Sequence, residues 1–321
     1  MRVTTLGRSG PEVGVVGLGC MGMTHAYDPV GRDDATSVDV IRQAVDLGAN
    51  LIDTSDVYGP FTNEELVGRA LVGTYRERAV LATKVGLVVE SRTGDRIVYG
   101  HNGTPEHIRR SIDGSLLRLG TDHVDLYQLH RVDPAVPIEE TWGAMAEAVE
   151  SGKVRTLGLS EVGVPEIQRA DRVHPVASVQ SELSLWTRET LTEVLPYCDR
   201  EGIAFLPFAP LGRGFLAGRF SSFEDLPADD VRRSYQRFQQ DALHANLTLV
   251  GRVRALAERI GATPAQVALA WVIAQGRHVI PIPGTKTPKY LMDNVGAAQV
   301  TLTAEDLAEL DMLPEATGAR F

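Results

Sequence analysis

The sequence predicts an α/β fold in which eight strand–helix units follow one another and close into a parallel barrel. Short apolar runs, typical of buried strands, alternate with amphipathic segments, typical of helices, along almost the whole chain. A Gly10-Pro11 turn within the polar opening indicates a β-hairpin ahead of the first barrel strand. No Ser/Gly-rich linker or change of composition divides the 321 residues, so we predict a single domain over residues 1–321.

The predicted elements alternate from the hairpin onward. The predicted strands lie in VGVVGLG, ANLIDTS, AVLATK, HVDLYQLH, VRTLGLS, VASVQSE, GIAFLPFAP and HVIPIPG. The predicted helices cover residues 37–48, 63–71, 105–119, 138–150, 164–172, 188–200, 247–260, 264–275 and 287–297, before a polar tail. Pro105 suits the first turn of its helix, where no N–H is needed. Three segments, 20–35, 86–103 and 211–240, interrupt this rhythm as loops. Each follows a strand, at the barrel edge where enzymes carry their chemistry.

Composition restricts the classes of function. A net charge of −10 argues against broad binding of nucleic acid or of an anionic membrane. No apolar run of about 18 residues predicts a membrane span, and no charged, apolar leader is recognisable. Cys20 and Cys198 show no metal or redox spacing, as suits a reducing compartment. We therefore expect a cytoplasmic protein that acts on a small molecule, as a monomer or a homo-oligomer.

Four polar residues stand at or just past the ends of predicted strands and together suggest a proton-transfer site. They are Asp53 and Tyr58 in LIDTSDVYG, Lys84 in VLATKVG, and His130 in VDLYQLHR. A Tyr can act as a general acid near neutrality if a close ammonium favours its phenolate, and a carboxylate can hold that ammonium. Taken singly, each residue also suits a structural role, such as a strand-end cap or half-buried packing.

Lysine usage supports the assignment of Lys84. Of the 32 basic residues only Lys84, Lys153, Lys286 and Lys289 are lysines, which leaves 28 arginines. A coding bias towards Arg explains the imbalance without reference to function. Against such a bias, Lys is most expected where a compact ammonium with a tunable pKa is needed and a planar guanidinium does not serve.

The order of several motifs resembles the aldo-keto reductase family, and the resemblance covers nearly the whole chain. The motifs are GLGCMGM, DTSDVYG, ATKVG, QLHR, GKVRTLGLSE, PFAPLGRGFLAG and IPIPGTK with a following DN. The GLGCMGM opening is most similar to bacterial and plant members. The resemblance implies a (β/α)8 TIM barrel with an N-terminal β-hairpin cap, and reduction of an aldehyde or ketone by NADPH. By position, Tyr58 matches the proton donor, Lys84 and Asp53 its pKa-lowering pair, and His130 the residue that orients the carbonyl.

The resemblance also implies a set of NADPH-binding residues. Ser160, Glu161 and Gln180 match the positions that hold the nicotinamide carboxamide, although many relatives carry an amide where this chain has Glu161. A structural role for Glu161, capping the next helix, stays open. Phe208 matches the aromatic residue that stacks on the nicotinamide ring and equally suits an ordinary core position. The pyrophosphate would lie along small or apolar residues that allow close backbone approach, namely Ala209, Leu211, Gly212 and Gly214.

A second basic segment, IPIPGTKTPKYLMDN, precedes and enters the last predicted helix. Gly284 and Thr285 offer backbone and hydroxyl donors close to a helix N-terminus, where anions are favoured. Lys286 adds charge for the 2′-phosphate of NADPH, and Asn294 could reach the adenine. Many relatives carry an Arg where this chain has Tyr290, which can stack on adenine but cannot pair with phosphate. The preference for NADPH is therefore expected to be weaker than usual in the family.

The substrate is not named by the sequence. Aromatic residues in or near the loops at the same edge are candidates for an apolar pocket: Tyr27, Phe61, Trp186 and Phe220. Two other functions stay open, a barrel that only binds the cofactor in a regulatory role and a hydrolase that uses Asp53 and Asp56 as paired carboxylates. The intact set of Asp53, Tyr58, Lys84 and His130 favours the reductase over both.

Overall fold

The computed structural model describes residues 1–28, 31–93, 96–228 and 230–320. Its strands are β1 Val3–Thr5, β2 Glu12–Gly14, β3 Leu18–Gly19, β4 Leu51–Asp53, β5 Val80–Val85, β6 Leu87–Thr93, β7 Arg96–His101, β8 Val124–Leu129, β9 Val154–Ser160, β10 Val176–Glu182 and β11 Ala204–Phe208. Seven strands form one parallel sheet in the order β3-β4-β5-β8-β9-β10-β11. The predicted parallel barrel is confirmed, and the predicted N-terminal hairpin is the antiparallel pair β1-β2.

Helices follow most of the barrel strands. They are α1 Asp34–Asp46, α2 Thr62–Ala70, α3 Thr74–Arg78, α4 Pro105–Leu119, α5 Ile138–Glu150, α6 Val164–Asp171, α7 Val194–Glu201, α8 Gln240–Ile260, α9 Pro264–Ala274, α10 Pro288–Gly296 and α11 Ala304–Asp311. Thr104 caps α4 by accepting a hydrogen bond from His107 N, and Pro105 occupies the first turn as predicted. None of the helices in the described ranges is both long and apolar enough to cross a membrane.

The eighth position of the barrel is filled by residues 278–284, which close the gap between β11 and β3. Ile280 and Ile282 donate backbone hydrogen bonds to β11, at 2.9 and 3.0 Å. On the other side Pro281 accepts a hydrogen bond from Gly17 N, just before β3, at 2.9 Å, and Pro283 accepts one from Gly19 N of β3 at 3.3 Å. A proline has no N–H to donate in return, so only half of the ladder to β3 can form. The predicted strand HVIPIPG therefore closes the barrel without a complete ladder.

Three parts of the chain differ from the prediction. The segment 86–103, expected as a loop, contains the antiparallel pair β6-β7. The expected polar tail contains α11, which begins with a capping box between Thr303 and Asp306. The helix expected over 188–200 is shorter, because a 3₁₀ turn at 189–191 precedes α7. Within the interrupting segments, residues 29, 30, 94, 95 and 229 lie outside the described residues.

The barrel interior changes from apolar to polar along the strands. At one end, under the β1-β2 hairpin, apolar side chains form one cluster: Leu6, Val13, Leu51, Val80, Ala82, Leu126, Ala204, Leu206, Ile280 and Ile282. Two residues further along three of these strands the same face carries Asp53, Lys84 and Gln128, since strand side chains repeat with a period of two. The polar layer therefore lies at the carboxyl end of the strands.

Candidate active site

Asp53 is the centre of the buried polar layer. Its Oδ1 accepts a hydrogen bond from Lys84 Nζ. Its Oδ2 accepts from Gln128 Nε2 at 3.0 Å and from Gln180 Nε2 at 2.9 Å. Gln180 Nε2 also lies 3.1 Å from Gln128 Oε1, so the two amides brace each other. Every residue in this group is less than 5% exposed, and the carboxylate is satisfied by charge and by hydrogen bonds.

The ammonium of Lys84 connects this layer to Tyr58. Besides Asp53, Nζ donates to the backbone oxygen of Thr54 at 2.8 Å and to the Tyr58 hydroxyl at 3.3 Å. These three acceptors use all three of its protons. Burial opposes the charge on Lys84, but Asp53 and Tyr58 outweigh it, and the pKa of Lys84 is raised. Lys84 is therefore a fixed, fully buried cation aimed at the phenol.

Burial has a second effect, on Tyr58 itself. Desolvation raises the pKa of Tyr58 above its ordinary value, and Lys84 opposes that rise without reversing it. The sequence predicts that the ammonium dominates the pKa of Tyr58, but in the structure burial has the larger effect. Tyr58 is consequently protonated at neutral pH, which is the form that a proton donor needs. Lys84 limits the cost of forming the phenolate once the proton has left.

His130 stands beside Tyr58 at the end of β8. Its backbone N–H donates to Val85 O at 2.7 Å, which ties it to β5. The two rings meet edge to face with centroids 5.8 Å apart. Burial and the neighbouring charges of Lys84 and Arg131 hold the pKa of His130 well below its usual range, so the imidazole is neutral. A neutral imidazole has one N–H donor and one acceptor nitrogen, and Ser55 Oγ lies 3.2 Å from Nδ1.

Comparison with known proteins identifies the family of this chain. The aldo/keto reductase family model matches residues 15–315. A probable aldo-keto reductase 1 from Glycine max is 44% identical over 306 residues, which are 95% of this chain and 86% of that protein. The chain belongs to the aldo/keto reductase family. It is therefore an oxidoreductase that acts on carbonyl or alcohol groups, and the resemblance seen in the sequence is confirmed.

Solved structures agree with this assignment. A glycerol dehydrogenase from Gluconobacter oxydans is 30% identical, with a TM-score of 0.87 over 97% of this chain and 94% of that one. An aldo/keto reductase from Klebsiella pneumoniae, solved with NADP and acetate, is 26% identical, with a TM-score of 0.74 over 99% and 97%. Both pairs align over nearly their whole lengths, as expected for one shared barrel.

In this aldo/keto reductase the residues expected at the carboxamide carry other contacts. Ser160 Oγ accepts from Arg131 Nη1 at 3.1 Å. Glu161 has a positive φ of 53°, accepts from Glu182 N at 2.9 Å and forms an ion pair with Arg320 from the C-terminal segment. Glu161 does not cap α6, because that helix begins after Gly163. Gln180, described above, donates its amide to Asp53 rather than presenting that donor to solvent.

The segment after β11 has the unusual backbone that its glycines suggested. Ala209, Gly212 and Gly214 have positive φ values of 47°, 54° and 94°. A Cβ on Gly212 would lie 2.6 Å from the Trp186 ring, so a larger residue would not fit there. Phe208 is half-buried at the end of β11, and Leu211 packs partly against the core.

The basic segment at α10 is held by a loop far away in the sequence. Lys286 Nζ donates to Asp28 O at 2.6 Å and lies 3.2 Å from Asp28 Oδ2. Thr285 Oγ1 accepts from Thr287 N at 3.1 Å, just before α10 begins at Pro288. Gly284, which pairs with Gly19 of β3, is exposed.

Tyr290 and Asn294 lie on α10 itself. The Arg219 guanidinium stands 4.6 Å from the centroid of the Tyr290 ring. An arginine therefore accompanies the position at which many relatives were expected to carry one, although it comes from the segment after β11. Asn294 is 4% exposed.

The four aromatic candidates for the substrate pocket separate into two groups. Trp186 and Phe220 are buried, and the Trp186 ring stacks on Phe215 with centroids 4.8 Å apart. These two are packing residues. Phe61 is 50% exposed and Tyr27 is half-buried, so both stay candidates for contact with a substrate.

Sequence reasoning missed two residues next to Tyr58. His25 stacks on the Tyr58 ring with centroids 6.5 Å apart, and Tyr99 OH lies 2.9 Å from His25 Nε2. His25 comes from the loop after β3 and Tyr99 from β7, both in segments that were expected to lie on this face. Gln128 was missed as well, although it lies two residues before His130 on the same strand face.

Proposed function

We propose that this aldo/keto reductase reduces an aldehyde or ketone with NADPH, and that Tyr58 is the proton donor. The observation that carries the proposal is the position of Lys84 Nζ, which bonds to Asp53 and lies 3.3 Å from the Tyr58 hydroxyl. An ammonium there stabilises the phenolate that remains after Tyr58 releases its proton. The buried Asp53 keeps that ammonium charged and in place.

Each of the remaining residues has a separate task. NADPH, when bound, supplies a hydride to the carbonyl carbon. Tyr58 donates its proton to the carbonyl oxygen, where negative charge develops. His130, neutral and edge-on to Tyr58, donates a hydrogen bond to the same oxygen and so orients the carbonyl. For the reverse reaction Tyr58 would have to be the phenolate, and its raised pKa places that direction at more alkaline pH.

The chemistry of the available donors fits NADPH. Lys286, the Thr285 hydroxyl and the nearby N-terminus of α10 form a cationic, hydrogen-bonding site of the kind that binds phosphate. The compact turn of Ala209, Leu211, Gly212 and Gly214 allows the backbone to approach a pyrophosphate. We assign Phe208 to the nicotinamide face, Ser160, Glu161 and Gln180 to its carboxamide, and Tyr290 and Asn294 to the adenine. For Gln180 and Glu161 this contact requires that an existing hydrogen bond is shared or exchanged.

The test is NADPH oxidation against a panel of aldehydes, ketones and quinones. We expect turnover in the wild type and a loss of 10²–10⁴-fold in Tyr58→Phe, the range typical of general acid catalysis, with NADPH affinity nearly unchanged. Tyr75→Phe is a matched control, because its hydroxyl bonds to Asp46 on the helical exterior. If Tyr58→Phe kept more than about a tenth of turnover, the proton-donor assignment would be wrong. Binding of NADPH without oxidation by any carbonyl would favour the regulatory alternative.

A further inference from the structure

A short chain of polar atoms joins His130 to a carboxyl group that the proposed mechanism does not use. His130 Nδ1 lies 3.2 Å from Ser55 Oγ, and Ser55 Oγ lies 3.2 Å from Asp56 Oδ1. The three residues are 8%, 0% and 5% exposed. Val57 N donates to the same Ser55 oxygen at 3.4 Å. Ser55 has one proton to donate, so it can donate to His130 or to Asp56, but not to both.

The choice made by Ser55 fixes which nitrogen of His130 carries the proton. If Asp56 is protonated, it donates to Ser55 Oγ and Ser55 donates to Nδ1, so the imidazole proton lies on Nε2. If Asp56 is ionised, it accepts from Ser55, whose oxygen then accepts from Nδ1–H, and Nε2 becomes an acceptor. In both arrangements Ser55 donates one hydrogen bond and accepts two, one of which comes from Val57 N. Only the first leaves Nε2–H free to donate to a carbonyl oxygen.

We propose that Asp56 is a positioning residue that acts through Ser55. While Asp56 carries a proton, it holds the neutral His130 as the Nε2–H tautomer that the reduction requires. The inference rests on the proposed function, since it assigns the donor role of His130 to one nitrogen. The change of state is balanced in protons. When Asp56 ionises, its proton passes to Ser55 Oγ, the Ser55 proton passes to Nδ1, and one proton leaves Nε2 for solvent.

Burial and the neighbouring Glu64 favour the protonated state of Asp56 at neutral pH. Burial raises the pKa of Asp56 to about 8, and the carboxylate of Glu64 on α2 adds to that effect. Glu64 is itself fixed by Arg118 of α4 at 2.7 Å. The hydrogen bond from Ser55 and the charge of Arg118 oppose the rise without reversing it. Tyr127 of β8 and Tyr99 of β7 also interact electrostatically with Asp56, and burial raises the pKa of each. Both phenols are therefore neutral when Asp56 titrates.

The sign of the pH dependence follows from this shift. A folded-state pKa above the unfolded value of about 3.9 means that the folded protein binds the proton more tightly. Wild-type stability therefore falls, relative to Asp56→Asn, as pH rises from about 4 through about 8. The Nε2–H tautomer, and the activity that depends on it, should be lost as the pH rises through about 8.

The first experiment observes the tautomer directly in the protein without cofactor or substrate. Nitrogen-15 NMR of histidine-labelled protein distinguishes a ring nitrogen that carries a proton from one that does not, and His130→Asn identifies the relevant signals. We expect the wild type to carry the proton on Nε2 at neutral pH and on Nδ1 above the pKa of Asp56. Asp56→Asn should abolish this change with pH, because the amide cannot ionise. Asp133→Asn is the matched control, since that buried carboxylate bonds to Gly103 N instead and should leave the titration intact.

The second experiment follows turnover against pH. We expect kcat of the wild type to fall about tenfold per pH unit above the pKa of Asp56, as for loss of one required proton, with the Kd for NADPH unchanged. Asp56→Asn should remove that descending limb and Ser55→Ala should lower kcat at every pH, whereas a merely structural role of Asp56 would leave the descending limb in place. A wild-type His130 that carries its proton on Nδ1 at neutral pH, or an Asp56→Asn profile that overlays the wild type, would overturn the inference. Absence of carbonyl reduction in the wild type would instead overturn the proposed function, and the NMR titration would still decide the tautomer.

Discussion

The two lysines to which we assign roles, Lys84 and Lys286, are held in contrasting ways. Lys84 is fully buried, and three fixed acceptors use all of its protons. Lys286 keeps 17% of its side chain exposed and bonds to Asp28, whose carboxylate is 45% exposed. Breaking a buried pair by removing one partner costs about 3–5 kcal/mol, whereas an exposed pair is worth about 0.2–1 kcal/mol.

The contrast suggests two uses of a positive charge. At the strand ends the charge is preorganised, so that in the proposed reaction the Tyr58 phenolate meets a counter-charge without any rearrangement. At α10 the charge is bound to a weak partner that a phosphate can replace. Replacing the buried Lys84 should therefore have the largest effects, and replacing Asp28, the exposed partner of Lys286, the smallest.

The largest effect is predicted for Lys84→Met. Removal of the ammonium leaves the buried Asp53 carboxylate without a counter-charge, so we expect a loss of about 3–5 kcal/mol in the free energy of unfolding. Turnover should also fall, with a higher apparent pKa for proton donation by Tyr58. The double variant Asp53→Asn with Lys84→Met removes both charges and should regain most of the stability while staying inactive. Denaturant unfolding and pH–rate profiles measure the two effects separately.

Recovery of turnover in that double variant would show that Lys84 serves only to neutralise Asp53. Lys84→Arg sharpens the same point. It keeps the charge, but its planar fork cannot occupy the position of a compact ammonium in a fully buried site. We expect partial activity at best, and a pH–rate profile of Lys84→Arg that overlaid the wild type would contradict the role assigned to the ammonium.

The next effect concerns the choice of cofactor. A charge-assisted hydrogen bond to phosphate is worth roughly 1.5–3 kcal/mol, so Lys286→Ala should weaken NADPH binding about ten- to a hundredfold and leave NADH binding nearly unchanged. Fluorescence titration of both cofactors tests this. Lys289→Ala is the matched control, because Lys289 is exposed three residues further along. Equal losses for NADPH and NADH would show that Lys286 does not recognise the 2′-phosphate, and Arg219 beside Tyr290 would be the next residue to replace.

Most of the barrel was predictable because its signals are local. Apolar runs, Pro105 in a first turn and the Gly10-Pro11 turn each depend on neighbouring residues alone. The failures have physical reasons too. Residues 86–103 contain β-branched strand formers, but their position after a barrel strand favoured a loop. The capping box at Thr303 was a readable signal for α11 that the polar composition of the tail concealed.

In the candidate site, too, the predictable features are local and the unpredictable ones depend on packing between distant parts of the chain. Asp53, Lys84 and His130 were found because strand ends are visible in sequence, and Gln128 could have been found from its period-two relation to His130. The order of effects on the pKa of Tyr58 was not predictable, because burial depends on packing around the whole barrel mouth. Nor could sequence reveal that Lys286 meets Asp28, 258 positions away. Such pairs are set by loop geometry rather than by local pattern.

The smallest predicted effect comes from that last pair. Asp28 accepts from Lys286 through both its backbone oxygen and its carboxylate, and a phosphate bound by Lys286 would meet the negative carboxylate of Asp28. Asp28→Asn removes this competing charge, so we expect NADPH to bind up to about fivefold more tightly, the equivalent of an exposed ion pair, with no gain for NADH. Asp34→Asn makes the same change of net charge at a residue that pairs with Arg69 instead and controls for long-range electrostatics. Weaker NADPH binding in Asp28→Asn would mean that Asp28 holds Lys286 in its binding geometry. The hypothesis that the phosphate replaces Asp28 as the partner of Lys286 would then have to be abandoned.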